Sequence, residues 1–158
     1  MLNNNTTIKN ILESSKTIAM VGISSIKKEN SKTPLVRRPS IIVMKYLQEF
    51  GYKVIPVNPF SAGKEIYGET ILSKLEEIKN PVDVVNVFRP SNETPELARQ
   101  AVKIKAKALW LQYGIENEEA HNIVEKANIA YVANKCIKQE YQKIFLKMNP
   151  VFPLLQKK

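Results

Sequence analysis

The sequence predicts an α/β fold, namely a Rossmann-like, doubly wound and mainly parallel five-stranded sheet with helices on both faces. Two observations predict this fold. Five short apolar runs recur along the chain, and the stretches between them place apolar residues at helical spacing. Near-continuous apolar runs are typical of parallel strands buried on both faces, and strands that alternate with helices form βαβ units.

The predicted strands are short and separated by segments that suit turns and helices. They occupy residues 17–23, 52–57, 82–88, 107–111 and 129–132. The first run, TIAMVGI, carries Gly22 near its end, where a glycine allows the chain to turn sharply.

The predicted helices are recognised from apolar faces and from residues that favour helix ends. An amphipathic segment around Ile8 precedes the first strand, and a helix that starts at Pro39-Ser40 and ends before Gly51 follows it. The later helix starts are expected at a capping box of Ser73 and Glu76, at Pro95, at Asn117 and near Ile137.

The length and the charge distribution limit the classes of protein. The 158 residues suit one domain, predicted over residues 1–148, followed by a basic tail at 149–158. The formal net charge is +9, but residues 41–134 carry 11 basic and 12 acidic side chains, so the excess lies at the two ends. Basic ends keep a nucleic-acid-binding protein as a less favoured alternative, because no RNP-like aromatic pattern or zinc finger is present.

Cysteine and histidine are too rare for several kinds of site. The single cysteine, Cys136, excludes an internal disulfide, and the single histidine, His121, excludes clusters of histidine metal ligands. No apolar run approaches the roughly 20 residues of a membrane span, and the amino terminus lacks a signal-peptide pattern. We therefore expect a cytoplasmic chain with no metal and no membrane partner.

The candidate site lies just after the strands, because ligands of open α/β sheets bind beyond the carboxyl ends of the strands. Gly22 allows close approach of a ligand, and Ser24 has N–H and hydroxyl groups that can donate to an anion. Arg38 and Ser40 stand at the start of the following helix, where a diphosphate would find positive charge and free N–H groups.

The end of the second predicted strand argues against NAD. Dinucleotide-binding folds place an acidic residue there for the ribose, whereas this chain has Asn58 and Pro59. Asn58 is expected either to bind a sugar or base edge or to form an Asn-Pro turn. Since the basic loop at residues 25–37 could hold a 2′-phosphate, an NADP-dependent oxidoreductase remains the main alternative function.

Five motifs carry a resemblance to a known family. They are AMVGISS at 19–25, RRPS at 37–40, KYLQEFGYKVIPVNP at 45–59, PVDVVNVFRPS at 81–91 and ALWLQYGIENEEA at 108–120. Together they resemble the small single-domain bacterial CoA-binding proteins, which are similar to the CoA-binding domain of the succinyl-CoA synthetase alpha subunit. The resemblance spans residues 17–136.

The resemblance implies coenzyme A as the ligand and assigns it residues. Gly22 and Ser24 are implied to line the pyrophosphate, and the RPS motif at the helix start is implied to lie near the phosphates. The implied binding residues are Gly22, Ser24, Arg38, Pro39, Ser40, Asn58, Pro59, Val87, Phe88, Arg89, Gln112 and Gly114. Val87 and Phe88 are implied to cover the adenine side, and Gln112 and Gly114 to lie near the pantetheine path.

No catalytic residue is predicted. Asp83, the one aspartate, precedes the middle of an apolar strand, so it does not reach the binding edge. His121 is expected on the surface, Trp110 in the core, and Cys136 half-buried and inert. The leading hypothesis is a non-catalytic or regulatory module that binds CoA or acyl-CoA. The sequence leaves open a homo-oligomer in which the last helix docks on a second subunit.

Overall fold

A computed structural model of the chain describes residues 5–23 and 39–147. The predictions for Ser24 and Arg38, for the basic loop between them and for the tail at 149–158 lie outside these residues. None of the helices described here has the length and apolar character needed to cross a membrane.

The fold is built around a five-stranded parallel sheet, as the sequence predicts. Its strands are β1 (Thr17–Val21), β2 (Lys53–Val57), β5 (Val84–Val87), β6 (Ala108–Leu111) and β7 (Ala130–Val132). They lie in the order β2-β1-β5-β6-β7, and every neighbouring pair is parallel. Because the chain passes from β1 to β2 on one side and then continues at β5 on the other, the strand order reverses between β1 and β5.

Within residues 5–23 and 39–147, five α-helices cover the two faces of this sheet. They are α1 (Asn5–Ser14), α2 (Pro39–Glu49), α3 (Thr94–Lys103), α4 (Glu118–Lys126) and α5 (Ile137–Phe145). The predicted cap at Asn117 is confirmed, since its side-chain oxygen accepts a hydrogen bond from the Ala120 N–H at 2.9 Å. Helices α3 and α4 pack against one face, and α1, α2 and α5 cover the other.

The segment between β2 and β5 differs from the prediction. Instead of a capped α-helix it contains a short hairpin, β3 (Glu65–Ile66) and β4 (Glu69–Thr70), and a 3-10 helix at Leu75–Glu77. Ser73 bonds to Glu77, four residues on, rather than to Glu76. The hydrogen bonds of Ser73 thus close a single tight turn, which the spacing of Ser73 and Glu76 alone does not reveal.

Asp83 joins the amino ends of three strands, at the edge of the sheet remote from the candidate site. Its carboxylate accepts from the backbone N–H groups of Lys16 and Thr17 at 2.7 and 3.0 Å and pairs with Lys107 at 3.3 Å. Burial opposes ionisation of this carboxylate, but the backbone hydrogen bonds and Lys107 outweigh it, and the pKa lies below its ordinary value.

Asp83→Asn is expected to lower the free energy of unfolding by about 1.5–3 kcal/mol at neutral pH, because charged hydrogen bonds are lost. A lowered folded-state pKa stabilises the protein above the unfolded pKa of about 3.9, and this contribution disappears as the pH falls through the folded pKa. Urea unfolding at pH 7 and at pH 3 measures the difference. Glu13→Gln, at an exposed carboxylate of α1, is the control. A deficit in Asp83→Asn that is as large at pH 3 as at pH 7 would contradict the assignment.

Candidate ligand-binding cleft

The carboxyl ends of β1 and β5 form a crevice at the point where the strand order reverses. Gly22 follows β1, and its N–H donates to the carbonyl of Val57 at 2.9 Å. Phe88 follows β5, and its N–H donates to the carbonyl of Val21 at 2.8 Å. These bonds fix three adjacent strand ends, so the loops that leave them converge on one edge, where ligands of such sheets bind.

Gly22 occupies a position that only glycine fits. Its φ is +91°, a conformation that side-chain-bearing residues rarely adopt. A Cβ placed there would lie 2.8 Å from the carbonyl oxygen of Phe88 and 2.8 Å from Cδ of Arg89. The loop after β5 therefore packs directly on the backbone of Gly22.

Asn58 forms a turn, which is one of the two roles that the sequence predicts for it. Its side-chain oxygen accepts from the Phe60 N–H at 2.8 Å, and its Nδ2 donates to the carbonyl of Ile23 at 2.7 Å. The first bond caps the 3-10 helix Pro59–Ser61. Because the second bond reaches the residue after Gly22, Asn58 also ties the end of β2 to the end of the β1 loop.

Arg89 forms a two-point ion pair with Glu93. Its Nε donates to Oε1 of Glu93 at 2.9 Å, and NH2 donates to Oε2 at 2.8 Å. These two hydrogen bonds lower the pKa of Glu93 and raise the pKa of Arg89. A phosphate that binds Arg89 must therefore share its guanidinium with a carboxylate or displace that carboxylate.

A cleft of about 180 Å³ opens beside these residues. Four of the predicted site residues line it: Gly22, Asn58, Pro59 and Arg89. The others that line it are Val21, Val57, Phe60, Ser73, Lys74, Leu75, Glu93, Leu97 and Gln100. Polar and apolar side chains of the described residues line the cleft in equal number, but apolar atoms supply most of its surface, so the cleft suits a flat apolar group with polar atoms at its edge.

Several predicted site residues lie outside the cleft. Val87 is fully buried in the same core as Val21 and Val57, beneath the cleft, whereas Phe88 packs against the opposite core. Pro39 is exposed and Ser40 is buried in the first turn of α2. Of the ten predicted site residues that the structure describes, four line this cleft.

Gln112 and Gly114 follow β6 and take different roles. The Gln112 side chain is buried, donates from Nε2 to Oδ1 of Asn86 at 2.6 Å and accepts from the Ile137 N–H at 3.4 Å. Its amide therefore connects β5, β6 and the start of α5, and it faces the core. Gly114 has a φ of +86°, and its N–H donates to Oδ1 of Asn134 at 2.7 Å.

Comparison with known proteins identifies the family. A sequence model for the CoA binding domain matches residues 16–142, which is most of the chain. The chain belongs to this CoA-binding domain family. The uncharacterized protein YneT of Bacillus subtilis is 38% identical to it over 131 residues, which cover 83% of this chain and 89% of YneT.

Solved structures share the fold of this CoA-binding domain. The structure of a protein from Thermus thermophilus matches with a TM-score of 0.78 at 34% sequence identity. The match covers 90% of this chain and 99% of the Thermus chain. The dinucleotide forming acetyl-coenzyme A synthetase 1 of Ca. Korarchaeum cryptofilum has a TM-score of 0.56 at 20% identity, covering 75% of this chain and 26% of the synthetase. The second likeness shows the fold alone.

Three residues singled out by type have ordinary structural environments in this CoA-binding domain. Trp110 is fully buried, as predicted, and its Nε1 donates to the carbonyl of Lys135 at 2.8 Å. Cys136 is half-buried and unbridged, as predicted. His121 is less exposed than predicted, because its ring stacks on Tyr131 with 4.3 Å between ring centroids and 5° between planes.

Nine of the thirteen described residues that line the cleft were not predicted from the sequence. Glu93 had a signal, since it stands four residues after Arg89 and the two charges are opposite. Phe60 directly follows Asn58-Pro59, but an aromatic residue in a turn has no pattern that separates a binding role from a core role. Lys74 comes from the segment in which the sequence predicted a different local structure.

Proposed function

We propose that this protein binds coenzyme A or acyl-CoA along the carboxyl edge of its sheet, as a non-catalytic or regulatory module. Membership of the CoA-binding domain family supports the ligand class. The cleft lies at the strand-order reversal between β1 and β5, which is where open α/β sheets bind nucleotides. Acyl-CoA is included because the chemistry of the cleft concerns the nucleotide end, which CoA and acyl-CoA share.

The observation that carries the proposal is the cleft that Gly22, Asn58 and Arg89 line at the strand-order reversal. The guanidinium of Arg89 gives this cleft a cationic group that suits a phosphate. Along the sequence Gly22 is followed by Lys27, Lys28 and Lys32, which add positive charge between β1 and α2. Phosphates near Gly22 and a base in the adjoining cleft match the two chemical parts of an adenine nucleotide.

The chemistry of the cleft supports binding rather than catalysis. Within the described residues, Glu93 is the one carboxylate that lines the cleft, and Arg89 already neutralises it. His121 stacks on Tyr131, and Asp83 lies at the amino ends of the strands. A general acid or base must reach the reacting atoms in a suitable protonation state; His121 and Asp83 lie away from the cleft, and Glu93 is held in its ion pair.

Calorimetric titration of the purified protein with CoA tests the proposal. We expect saturable binding to one site that weakens as salt is raised, because the ligand carries several phosphate charges. Dephospho-CoA and NADPH are titrated in parallel, and tighter binding of NADPH than of CoA would favour the oxidoreductase alternative. Absence of heat with CoA at about 0.5 mM, with folded protein, would overturn the proposal.

The Arg89–Glu93 pair provides a directional test of phosphate binding. If Arg89 donates to a phosphate, Arg89→Ala weakens CoA binding by about 1.5–3 kcal/mol. Glu93→Gln is expected to strengthen binding by about 0.2–1 kcal/mol, since it removes a competing negative charge. Arg99→Ala is the matched control, because Arg99 pairs with Glu96 on α3 outside the cleft. Equal affinities for the Arg89 and Arg99 variants would remove Arg89 from the site.

A further inference from the structure

Phe60 combines high exposure with a place in the lining of the cleft. Its side chain lies on the cleft and is 86% exposed, the highest value among the large apolar residues of the described chain. Full burial of a phenylalanine is strongly favourable, so a phenylalanine left in water carries a large unused apolar surface. Because Phe60 also lines the cleft, its ring offers apolar surface to a group that fills the cleft.

The backbone at Phe60 is held in place before any ligand arrives. Pro59 fixes its own φ at the start of the 3-10 helix, and the Asn58 side chain accepts from the Phe60 N–H at 2.8 Å. Asn58 is itself bonded to the carbonyl of Ile23 at 2.7 Å. The ring is therefore attached to a rigid turn, and little conformational freedom of the main chain is lost when it makes a contact.

The size and chemistry of the cleft select which part of a ligand Phe60 meets. A volume of about 180 Å³ is too small for a whole CoA molecule but sufficient for one flat ring system. Leu75 and Leu97 supply aliphatic surface, and the amide of Gln100 supplies polar atoms. An adenine ring has two apolar faces and a polar edge, whereas the pantetheine arm is a flexible chain with amide groups.

We propose that Phe60 stacks on the adenine ring of CoA and makes this cleft selective for the adenine end of the ligand. The inference rests on the proposed function, because it assigns a role within the same site. Aromatic–base stacking depends on the face of the ring and is tolerant of the groups attached elsewhere. Phe60 is thus a binding residue for every adenine-containing form of the ligand, acylated or not.

Titration of Phe60→Ala with CoA and with adenosine 3′,5′-bisphosphate, which lacks pantetheine, tests this role. We expect both affinities to fall by the same factor, about 5- to 100-fold. Phe60→Trp is expected to retain binding, and its emission should be quenched by the bisphosphate. Tyr113→Ala is the control for the bisphosphate, because Tyr113 is 78% exposed on the same edge but lies outside the cleft.

The outcomes separate this inference from the proposed function. If the wild-type protein binds neither CoA nor the bisphosphate, the proposed function is wrong. If the wild type binds both and Phe60→Ala binds them equally well, the stacking role alone is wrong. A loss for CoA that exceeds the loss for the bisphosphate would place Phe60 beside pantetheine and would also overturn the inference. Thermal unfolding of each variant verifies that the fold is intact.

Discussion

Gly22→Ala is expected to destabilise the protein by more than about 3 kcal/mol and to abolish CoA binding. Two costs combine at this position. A residue other than glycine at positive φ costs roughly 1–2 kcal/mol, and the new Cβ would lie 2.8 Å from the Phe88 carbonyl oxygen. Because that neighbour is backbone, relief requires the loop after β5 to move, at the strain energy of an overpacked core.

Gly63→Ala separates the two costs. Gly63 has a φ of +92°, nearly that of Gly22, but no heavy atom lies within 4 Å of its ideal Cβ position. Gly63→Ala is therefore expected to lower the free energy of unfolding by only roughly 1–2 kcal/mol, which is the cost of the backbone conformation alone. Urea unfolding of both variants measures the difference. Equal losses would mean that the contact with Phe88 is relieved without cost and that Gly22 has no special packing role.

Gln112→Met is expected to lower the free energy of unfolding by about 2–4 kcal/mol, because it leaves two buried groups unpaired at about 1–3 kcal/mol each. The Asn86 Oδ1 loses its donor, and the Ile137 N–H loses its acceptor. Asn86 is fully buried, and its Nδ2 has no hydrogen-bond partner even in the intact protein. Removal of Gln112 would leave the whole Asn86 amide unsatisfied within the core.

A double-mutant cycle distinguishes an unsatisfied amide from a simple loss of packing. Asn86→Leu combined with Gln112→Met removes both members of the pair with side chains of similar size. The double variant is expected to be more stable than Gln112→Met alone, since the Asn86 side-chain amide is no longer left buried without partners, while the Ile137 N–H is unpaired in both variants. Chemical denaturation of the four proteins gives the coupling energy. If the two losses simply add, the hydrogen bond between these amides does not contribute to stability.

The strands were predictable because burial on both faces leaves a direct trace in the sequence. The run YKVIPV predicted a strand at 52–57, and the structure has β2 at Lys53–Val57. Local capping was predictable where one residue acts on its own helix, as Asn117 does. The capping box predicted at Ser73 and Glu76 was wrong. Glu76 and Glu77 offer adjacent acceptors, and Ser73 bonds to Glu77.

The candidate site was predictable only where backbone geometry demands a residue type. Gly22 was predicted because a glycine at a strand end permits close approach of another group, and in the structure that group is the Phe88 carbonyl together with the Arg89 side chain. Asn58 was open between two roles, and the bonds to Phe60 and Ile23 show the turn-forming one. The contribution of Leu97 and Gln100 was not predictable, since it depends on how α3 packs beside the cleft. The roles in ligand binding stay predictions.

The carboxylate of Asp83 and the cleft stand at opposite ends of the same parallel strands. Substitutions in loops at the cleft edge do not touch the contacts that Asp83 makes with Lys16, Thr17 and Lys107. Effects of distant, unconnected positions on stability are close to additive. This separation makes the domain a favourable starting point for evolution or engineering, because the cleft edge can accumulate changes in ligand preference while the other edge preserves the alignment of the strands.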